Sequence, residues 1–260
     1  GMVCHETYKD HENNWVSPDE VFSNGKNFYK KSDKNELVKV GSSESMSKSK
    51  KNTIDPEEII KNYGADSVRL FIMSDSPPEK DVQWSDDGME SAYKFLQKLW
   101  TLHNTIINKI ELNEKQNTND EEISKFVNIL ISKITHNIEN FRYNVIIANF
   151  YEMYNFLSKE LKKPISRKIL VQNYSKILIL LSPFIPHLAS ECLEQLNKYE
   201  NVGGEHWPEI QKKYLEQSDV MIVVQINGKK REVLKIEKDS PVEKVLEIAN
   251  NNDKIKNYIK

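Results

Sequence analysis

The sequence predicts a mainly α-helical protein that begins and ends with segments containing β-strands. From about residue 85 to residue 201, apolar residues recur every three to four positions, which is the spacing of one helical face. From residue 220 the pattern changes to two β-rich runs separated by Asn227-Gly228, a strong hairpin-turn signal. These changes divide the chain into three predicted regions: 1–84, 85–201 and 202–260.

Composition excludes several classes of protein. The 260 residues are enough for one large domain or two to three small ones, and 29% of them are charged. The net charge of -2 excludes a uniformly basic nucleic-acid binder. No apolar run approaches the ~20 residues of a membrane span. The only cysteines, Cys4 and Cys192, form no metal-ligand spacing, so we expect no metal site, a reducing compartment and a cytoplasmic location.

The first 40 residues contain weak signals. The segment from Trp15 to Val21 predicts a turn followed by a short helix, and Phe28-Tyr29 and residues 37–40 are predicted to be edge strands. His5 and Glu6 could form a catalytic pair, but a surface strand with incidental polar residues is the favoured interpretation.

Residues 45–56 form a small, hydroxylated and cationic loop followed by a strong helix start. Lys48 lies between two serines, and two more lysines follow it. Asp55 can cap the next helix, and Pro56 suits its first position. Lysine and serine side chains at such a site can bind a polyphosphate. Composition alone also allows a solvated lysine run in a surface loop.

Helices are predicted to fill the middle of the chain. One runs from Pro56 to Tyr63 and stops at Gly64, and the next begins near Ala65 and ends before Pro77. The second is expected to bury Val68, Leu70, Phe71 and Ile72. Ser85 can cap a long helix, which is the first of five amphipathic helices that predict a bundle. Their predicted core positions are Ala92, Phe95, Leu99, Leu102, Ile106, Ile110, Val127, Leu130, Ile134, Ile138, Ile146, Phe150, Met153, Leu157, Leu161, Leu170, Tyr174, Ile177, Leu181, Leu188, Cys192 and Leu196.

Polar breaks and an aromatic stripe accompany these helices. Residues 113–120 are a polar break, and residues 202–208 are predicted to be a linker. The aromatic residues between 150 and 156 could stack on RNA, but at helical spacing they are favoured as core. His187 is favoured as a structural residue in the first turn of the fifth helix.

The last region is predicted to be a β-hairpin followed by a helix from Pro241 to Asn250 and the start of another at Asp253. Lys229, Lys230 and Arg231 form a compact positive site at the hairpin tip. Such lysines also protect an edge strand against aggregation, and both interpretations remain open.

The order of the residues in the loop resembles a known signature. Met46-Ser47-Lys48-Ser49 is similar to the KMSKS signature of class I aminoacyl-tRNA synthetases, with Ser45 where the family most often has its first lysine. The following residues 50–56, the run 63–71 and the segment 76–85 resemble bacterial leucyl-tRNA synthetases. The run 182–187 is similar to a helix start in the anticodon-binding domain of the related enzymes.

The resemblance implies an architecture and a reaction. Region 1–84 would be the end of a class I catalytic domain with a leucyl-specific insertion. Region 85–201 would be an anticodon-binding-type bundle, and region 202–260 a truncated α+β domain that contacts tRNA. The parent enzyme would activate leucine with ATP and transfer it to tRNA(Leu). The leucine pocket and a second signature are expected upstream of this chain, so the isolated chain is expected to be inactive.

The resemblance also implies site residues and partners. Met46, Ser47, Lys48 and Ser49 would contact ATP, Lys48 would be the catalytic cation, and ATP would arrive with Mg²⁺. Lys229, Lys230 and Arg231 would contact tRNA. We expect a monomer with no DNA or membrane partner. The alternatives are a non-enzymatic RNA-binding helical protein and an isoleucyl- or valyl-type synthetase, which typically has a Leu-Gly-Asn run after the signature.

Overall fold

The structure is a computed structural model that describes residues 1–112, 120–199, 206–215, 219–237, 240–256 and 258. The chain folds as two compact units, Gly1–Ile210 and Gln211–Lys260. The mainly α-helical class is confirmed, while the division into three regions stays a prediction. The polar break predicted at 113–120 lies, apart from Asp120, outside the described residues.

The first unit begins with a six-stranded sheet. Its strands are β1 (Val3–Lys9), β2 (Trp15–Val16), β3 (Val21–Asn24), β4 (Asn27–Lys30), β5 (Asp33–Ser45) and β6 (Val82–Gln83). The order is β2-β1-β5-β4-β3, and all neighbours on this path are antiparallel. Strand β6 pairs in parallel with β1 through Val3 and Cys4. This pairing places the start of the chain beside the segment that follows the first two helices.

The predicted helix after Pro18 is only a single 3-10 turn, Pro18–Glu20, and the prediction of a helix there was wrong in extent. Its capping box is complete within that turn, because the backbone N–H of Ser17 donates to Glu20 Oε2 at 3.2 Å. Val21 then pairs with Lys30 in the sheet. At the β-branched Val21, pairing in the sheet is therefore favoured over continuation of the helix.

Two short helices follow the loop, α1 (Pro56–Tyr63) and α2 (Ala65–Asp75). The Asp55 side chain caps α1 by accepting from the N–H of Glu57 at 2.9 Å. Gly64 ends it with φ 80°, a conformation that L side chains rarely adopt. In α2, Leu70 and Phe71 are buried, as predicted. Val68 is only partly buried and Ile72 is exposed, so those two burial predictions were wrong.

Five longer helices build the bundle, and the prediction of their number is confirmed within the described residues. They are α3 (Asp86–Leu112), α4 (Asp120–Glu139), α5 (Tyr143–Glu160), α6 (Arg167–Leu181) and α7 (Pro186–Asn197). Ser85 Oγ accepts from the N–H of Gly88 at 3.1 Å, as expected of a cap for α3. Of the predicted core positions, only Ile138 and Leu188 are partly rather than fully buried.

The main hydrophobic core runs without interruption from α2 to α7. The aromatic residues of α5 belong largely to it: Phe150 is buried, and Phe156 stacks on Phe126 with ring centroids 3.8 Å apart. Tyr151 is the more exposed member and stacks on Phe95. In the described part of the predicted linker, residues 206–208, Trp207 Nε1 donates to Thr135 Oγ1 of the bundle at 2.8 Å, and Ile210 just after it packs against the main core.

The second unit contains the predicted hairpin and helices. Its elements are β7 (Asp219–Ile226), β8 (Lys229–Glu237), α8 (Val242–Asn251) and α9 (Asp253–Lys256). Asn227 and Gly228 both have positive φ, 53° and 74°, as a type I′ turn requires. A small core of Leu234, Ile236 and Ile255 joins the hairpin to the helices.

Candidate functional site

The candidate site is the loop between β5 and α1. Residues 48–50 form one 3-10 turn, and Lys51 closes it in the left-handed conformation with φ 54°. Before the turn, the N–H of Met46 donates to the carbonyl of Val3 at 3.2 Å. Met46 and Ile54 both pack against the main core. The loop is thus anchored at both ends, with its polar tip toward solvent.

Asn52 lies behind the tip and is fully buried. Its Oδ1 accepts from the N–H of Ser47 at 2.8 Å. Its Nδ2 donates to the carbonyls of Glu44 at 3.1 Å and His5 at 3.2 Å. The amide therefore ties the loop to β1 and to the end of β5. No local pattern in the sequence predicts this structural role of Asn52.

The three lysines of the loop have different surroundings. Lys50 forms an ion pair with Glu44, and that hydrogen bond holds the pKa of the Glu44 carboxyl below its usual value. Lys48 and Lys51 are exposed, and neither side chain has a hydrogen-bond or ion-pair partner among the described residues. Lys48 is therefore a free cation, and the hydroxyls of the two serines that flank it in the sequence, Ser47 Oγ and Ser49 Oγ, lie 2.7 Å from each other.

A second feature connects α2 to the start of α7. The buried Asp66 accepts through Oδ1 from His187 Nδ1 at 2.9 Å and through Oδ2 from the N–H of Leu188 at 2.8 Å. Arg69 donates to the carbonyls of Pro183 at 2.6 Å and Phe184 at 3.1 Å. His187 is otherwise exposed, which agrees with the structural role favoured for it.

The catalytic pair, which is the less favoured interpretation of His5 and Glu6, is not formed between their side chains. His5 Nδ1 lies 2.9 Å from the Glu6 carbonyl, and the Glu6 carboxylate accepts from the Tyr8 hydroxyl at 3.1 Å. This arrangement agrees with a strand that carries incidental polar residues. Among the described residues, no group of three or more His, Cys, Asp or Glu side chains could hold a metal ion.

The basic residues of the hairpin tip divide into two kinds. Lys229 and Lys230 are exposed. Arg231 is partly buried, and its guanidinium lies over the Tyr258 ring, 4.1 Å from the centroid. The strand register shifts between Val224 and Gln225, opposite this residue. Within the second unit, Arg231 therefore contributes packing as well as charge.

Two protein families match parts of this chain. The family described as "tRNA synthetases class I (I, L, M and V)" matches residues 9–85, and the family described as "Anticodon-binding domain of tRNA ligase" matches residues 120–246. The fold, the loop and these two matches define the class: the chain is part of a class I tRNA synthetase that includes an anticodon-binding domain. None of the helices in the described ranges is long and apolar enough to cross a membrane.

Curated relatives then identify the family within this class. The leucine–tRNA ligase of Rickettsia bellii (strain RML369-C) is 37% identical over 263 residues, covering 100% of this chain and 31% of the relative. That of Parvibaculum lavamentivorans (strain DS-1) is 39% identical over 257 residues, covering 94% of this chain and 29% of the relative. The chain belongs to the leucine–tRNA ligase family and spans about a third of the length of these relatives.

A solved structure supports the fold. The Agrobacterium radiobacter K84 LeuRS, crystallised as a LeuRS–tRNA–LeuAMS ternary complex, matches with a TM-score of 0.69 and 24% identity. The match covers 83% of this chain and 28% of that chain. The isoleucyl- or valyl-type alternative and the non-enzymatic RNA-binding alternative are both less well supported than the leucyl assignment.

Proposed function

We propose that this chain supplies the ATP-contacting loop and part of the tRNA-docking surface of a leucine–tRNA ligase. The observation behind the proposal is the free Lys48 ammonium at the tip of a loop whose backbone is held by the buried Asn52 amide. A cation that is not neutralised by a neighbouring carboxylate remains available to an incoming polyphosphate. Lys50 is less suited to that role, since it is already paired with Glu44.

In the proposed reaction, the leucine carboxylate attacks the α-phosphorus of ATP. A leucyl-adenylate forms, the bond to the β-phosphate oxygen breaks, and pyrophosphate leaves. A hydroxyl of the terminal ribose of tRNA(Leu) then attacks the adenylate carbonyl and AMP leaves. Lys48 acts in the first step by stabilising the negative charge that grows on the phosphates in the transition state. Met46, Ser47 and Ser49 contact the nucleotide around it.

The proposal also covers the metal ion, the leucine site and the state of the parent enzyme. Mg²⁺ would accompany ATP as the counterion of its phosphates. The leucine-binding residues are not assigned to this chain. We propose that the parent enzyme is a monomer in the cytoplasm.

The tRNA is proposed to dock on the helical bundle and on the tip of the hairpin. Lys229 and Lys230 are exposed there and can reach phosphates. Arg231 is assigned a smaller share of phosphate contact, because its guanidinium is engaged by the Tyr258 ring. Because these contacts are electrostatic, we expect the affinity of the chain for tRNA to fall steeply with salt concentration.

The substitution Lys48→Ala tests the role of the loop. It should be made in a polypeptide of the length of the relatives that contains this chain, and adenylate formation should be followed by ATP–pyrophosphate exchange. Removal of one preorganised donor to the reacting phosphates is expected to slow this step about 100-fold to 1,000-fold. Lys50→Ala is the matched control and should retain most of the activity. A Lys48→Ala enzyme that exchanges pyrophosphate at the wild-type rate would exclude the assignment.

A further inference from the structure

The connection between α4 and α5 has an unusual residue at a position where glycine is found most often. The N–H of Arg142 donates to the carbonyl of Asn137 at 2.8 Å, and the N–H of Phe141 donates to the carbonyl of Ile138 at 3.0 Å. These two bonds form a Schellman motif, in which the first residue past the helix adopts a left-handed conformation and is most often glycine. Here that residue is Phe141, with φ 53°.

Neither the backbone nor the core explains a phenylalanine at this position. A side chain of this size disfavours a positive φ. Phe141 is 65% exposed, and its ring meets Tyr143 only edge to face, with centroids 6.0 Å apart. Among the described residues, the other non-glycine positions with positive φ are two asparagines, which tolerate this conformation, and Lys51 of the candidate site. A residue whose side chain disfavours the backbone conformation that the fold imposes on it often marks a functional position.

The surroundings of the ring suit a nucleotide. Arg142 is exposed next to it, and its guanidinium has no hydrogen-bond or ion-pair partner within the described ranges. Val145 extends the apolar surface by one helical turn and is 40% exposed. Glu139 is the adjacent acidic residue, and it is also exposed. An aromatic face beside an unpaired guanidinium can bind a base by stacking and its phosphate by charge.

We propose that Phe141 and Arg142 form an RNA-binding site in which the ring stacks on an unpaired base and the guanidinium contacts an adjacent phosphate. The inference rests on the proposed function, because it takes tRNA as the RNA. It adds a specific contact at the α4–α5 connection to the docking surface described above.

The test compares the affinity of the 260-residue chain and its variants for a labelled tRNA(Leu) transcript by fluorescence anisotropy. Phe141→Gly is expected to weaken binding about five-fold to 100-fold, which is the usual effect of losing one base–aromatic stack. The same variant should melt at the same temperature as the wild type or higher, because glycine suits the left-handed position. Phe141→Trp should retain affinity. Arg142→Gln should lower the slope of log affinity against log salt by about one.

The control and the outcomes separate this inference from the proposed function. Leu37→Ala removes another exposed apolar side chain and should leave the affinity unchanged. Equal tRNA affinities of the wild type and Phe141→Gly would overturn the stacking site and leave tRNA docking intact. A wild-type chain that does not bind tRNA would overturn both. A change in self-association of Phe141→Gly, measured by sedimentation, with unchanged tRNA affinity would identify a protein contact and overturn the RNA site.

Discussion

At the scale of single residues, Lys48 and Asn52 have different roles in the loop. Lys48 provides an exposed charge, whereas Asn52 provides a buried scaffold that uses both ends of its amide. A buried amide in this position is stabilising only because its donors and acceptor are paired. The exposed lysine can remain free because the scaffold residue holds the backbone around it.

We expect Asn52→Ala to loosen this loop. The substitution leaves the N–H of Ser47 and the carbonyls of Glu44 and His5 without their partner, at a cost of about 1–3 kcal/mol. Amide hydrogen exchange at Ser47 should therefore accelerate about ten-fold to 100-fold. Asn27→Ala, which changes an exposed asparagine in β4, is the control and should not affect Ser47. Unchanged protection of the Ser47 amide in Asn52→Ala would show that the loop is held by other contacts.

At the scale of secondary structure elements, α2 acts as a cap for a helix more than 100 residues away in the sequence. The start of α7 has no side-chain cap from its own flanking residues. Asp66 accepts from the N–H of Leu188 instead, and its negative charge lies at the positive end of the helix dipole. Arg69 satisfies the carbonyls of Pro183 and Phe184 just before that helix. The two side chains thus join the element that follows the loop to the bundle.

Asp66→Ala is expected to lower the free energy of unfolding of the first unit by about 1–3 kcal/mol. The substitution removes a cap and leaves a backbone N–H near Leu188 unsatisfied. Urea unfolding followed by circular dichroism measures the change. Glu79→Ala replaces an exposed acidic residue and should change the free energy by less than about 0.5 kcal/mol. Equal stability of the two variants would contradict the capping role.

At the scale of the whole molecule, a buried imidazole links three helices of the bundle. His103 of α3 lies with Nδ1 3.0 Å from the Tyr174 hydroxyl of α6 and Nε2 3.0 Å from Gln195 Oε1 of α7. Burial lowers the pKa of His103 below its usual value, against the raising effects of Gln195 and the Glu191 carboxylate. Burial also raises the pKa of Cys192, which interacts with Tyr174, to about 12, so this thiol stays neutral.

The lowered pKa of His103 predicts a loss of stability in mild acid. In the unfolded chain the imidazole takes up a proton near its ordinary pKa of about 6.5, whereas the folded bundle resists protonation. Stability is therefore fully present above about pH 6.5 and falls below it. Between pH 7 and pH 5.5, the free energy of unfolding of the wild type should therefore fall more steeply than that of His103→Gln. The measurement is the slope of the free energy of unfolding against pH. A change in stability that the substitution causes equally at every pH does not affect this slope.

His11 provides the control for this pH dependence. Its hydrogen bond to Glu36 raises the pKa of His11, so its contribution to stability is present at low pH and is lost as pH rises. It is exposed, and solvent screening makes that contribution small. His11→Gln should therefore leave the loss of stability in mild acid unchanged. If His103→Gln kept the full wild-type slope, His103 would not be its source.

The sequence by itself determined the helices, the hairpin and the location of the loop. These features follow from local rules: the 3.6-residue period, the Asp55-Pro56 cap, the Asn227-Gly228 turn and the order of residues around Lys48. Local patterns also predicted nearly every core position of the five long helices. The prediction of a helix from Pro18 to Val21 was wrong because Val21 pairs in the sheet. The prediction that Ile72 is buried was wrong because the side of α2 that packs on the core is set by the tertiary structure.

Only the tertiary structure decided which residues support the loop and which remain available to a partner. Asn52 meets the carbonyl of His5 because β1 and β5 pair, and Asp66 meets Leu188 because α2 packs on the bundle. The exposure of Phe141 and the stacking of Arg231 on Tyr258 likewise depend on neighbours distant in the sequence or on backbone angles. Periodicity describes the face of one element, but hydrogen bonds between elements exist only once those elements have packed.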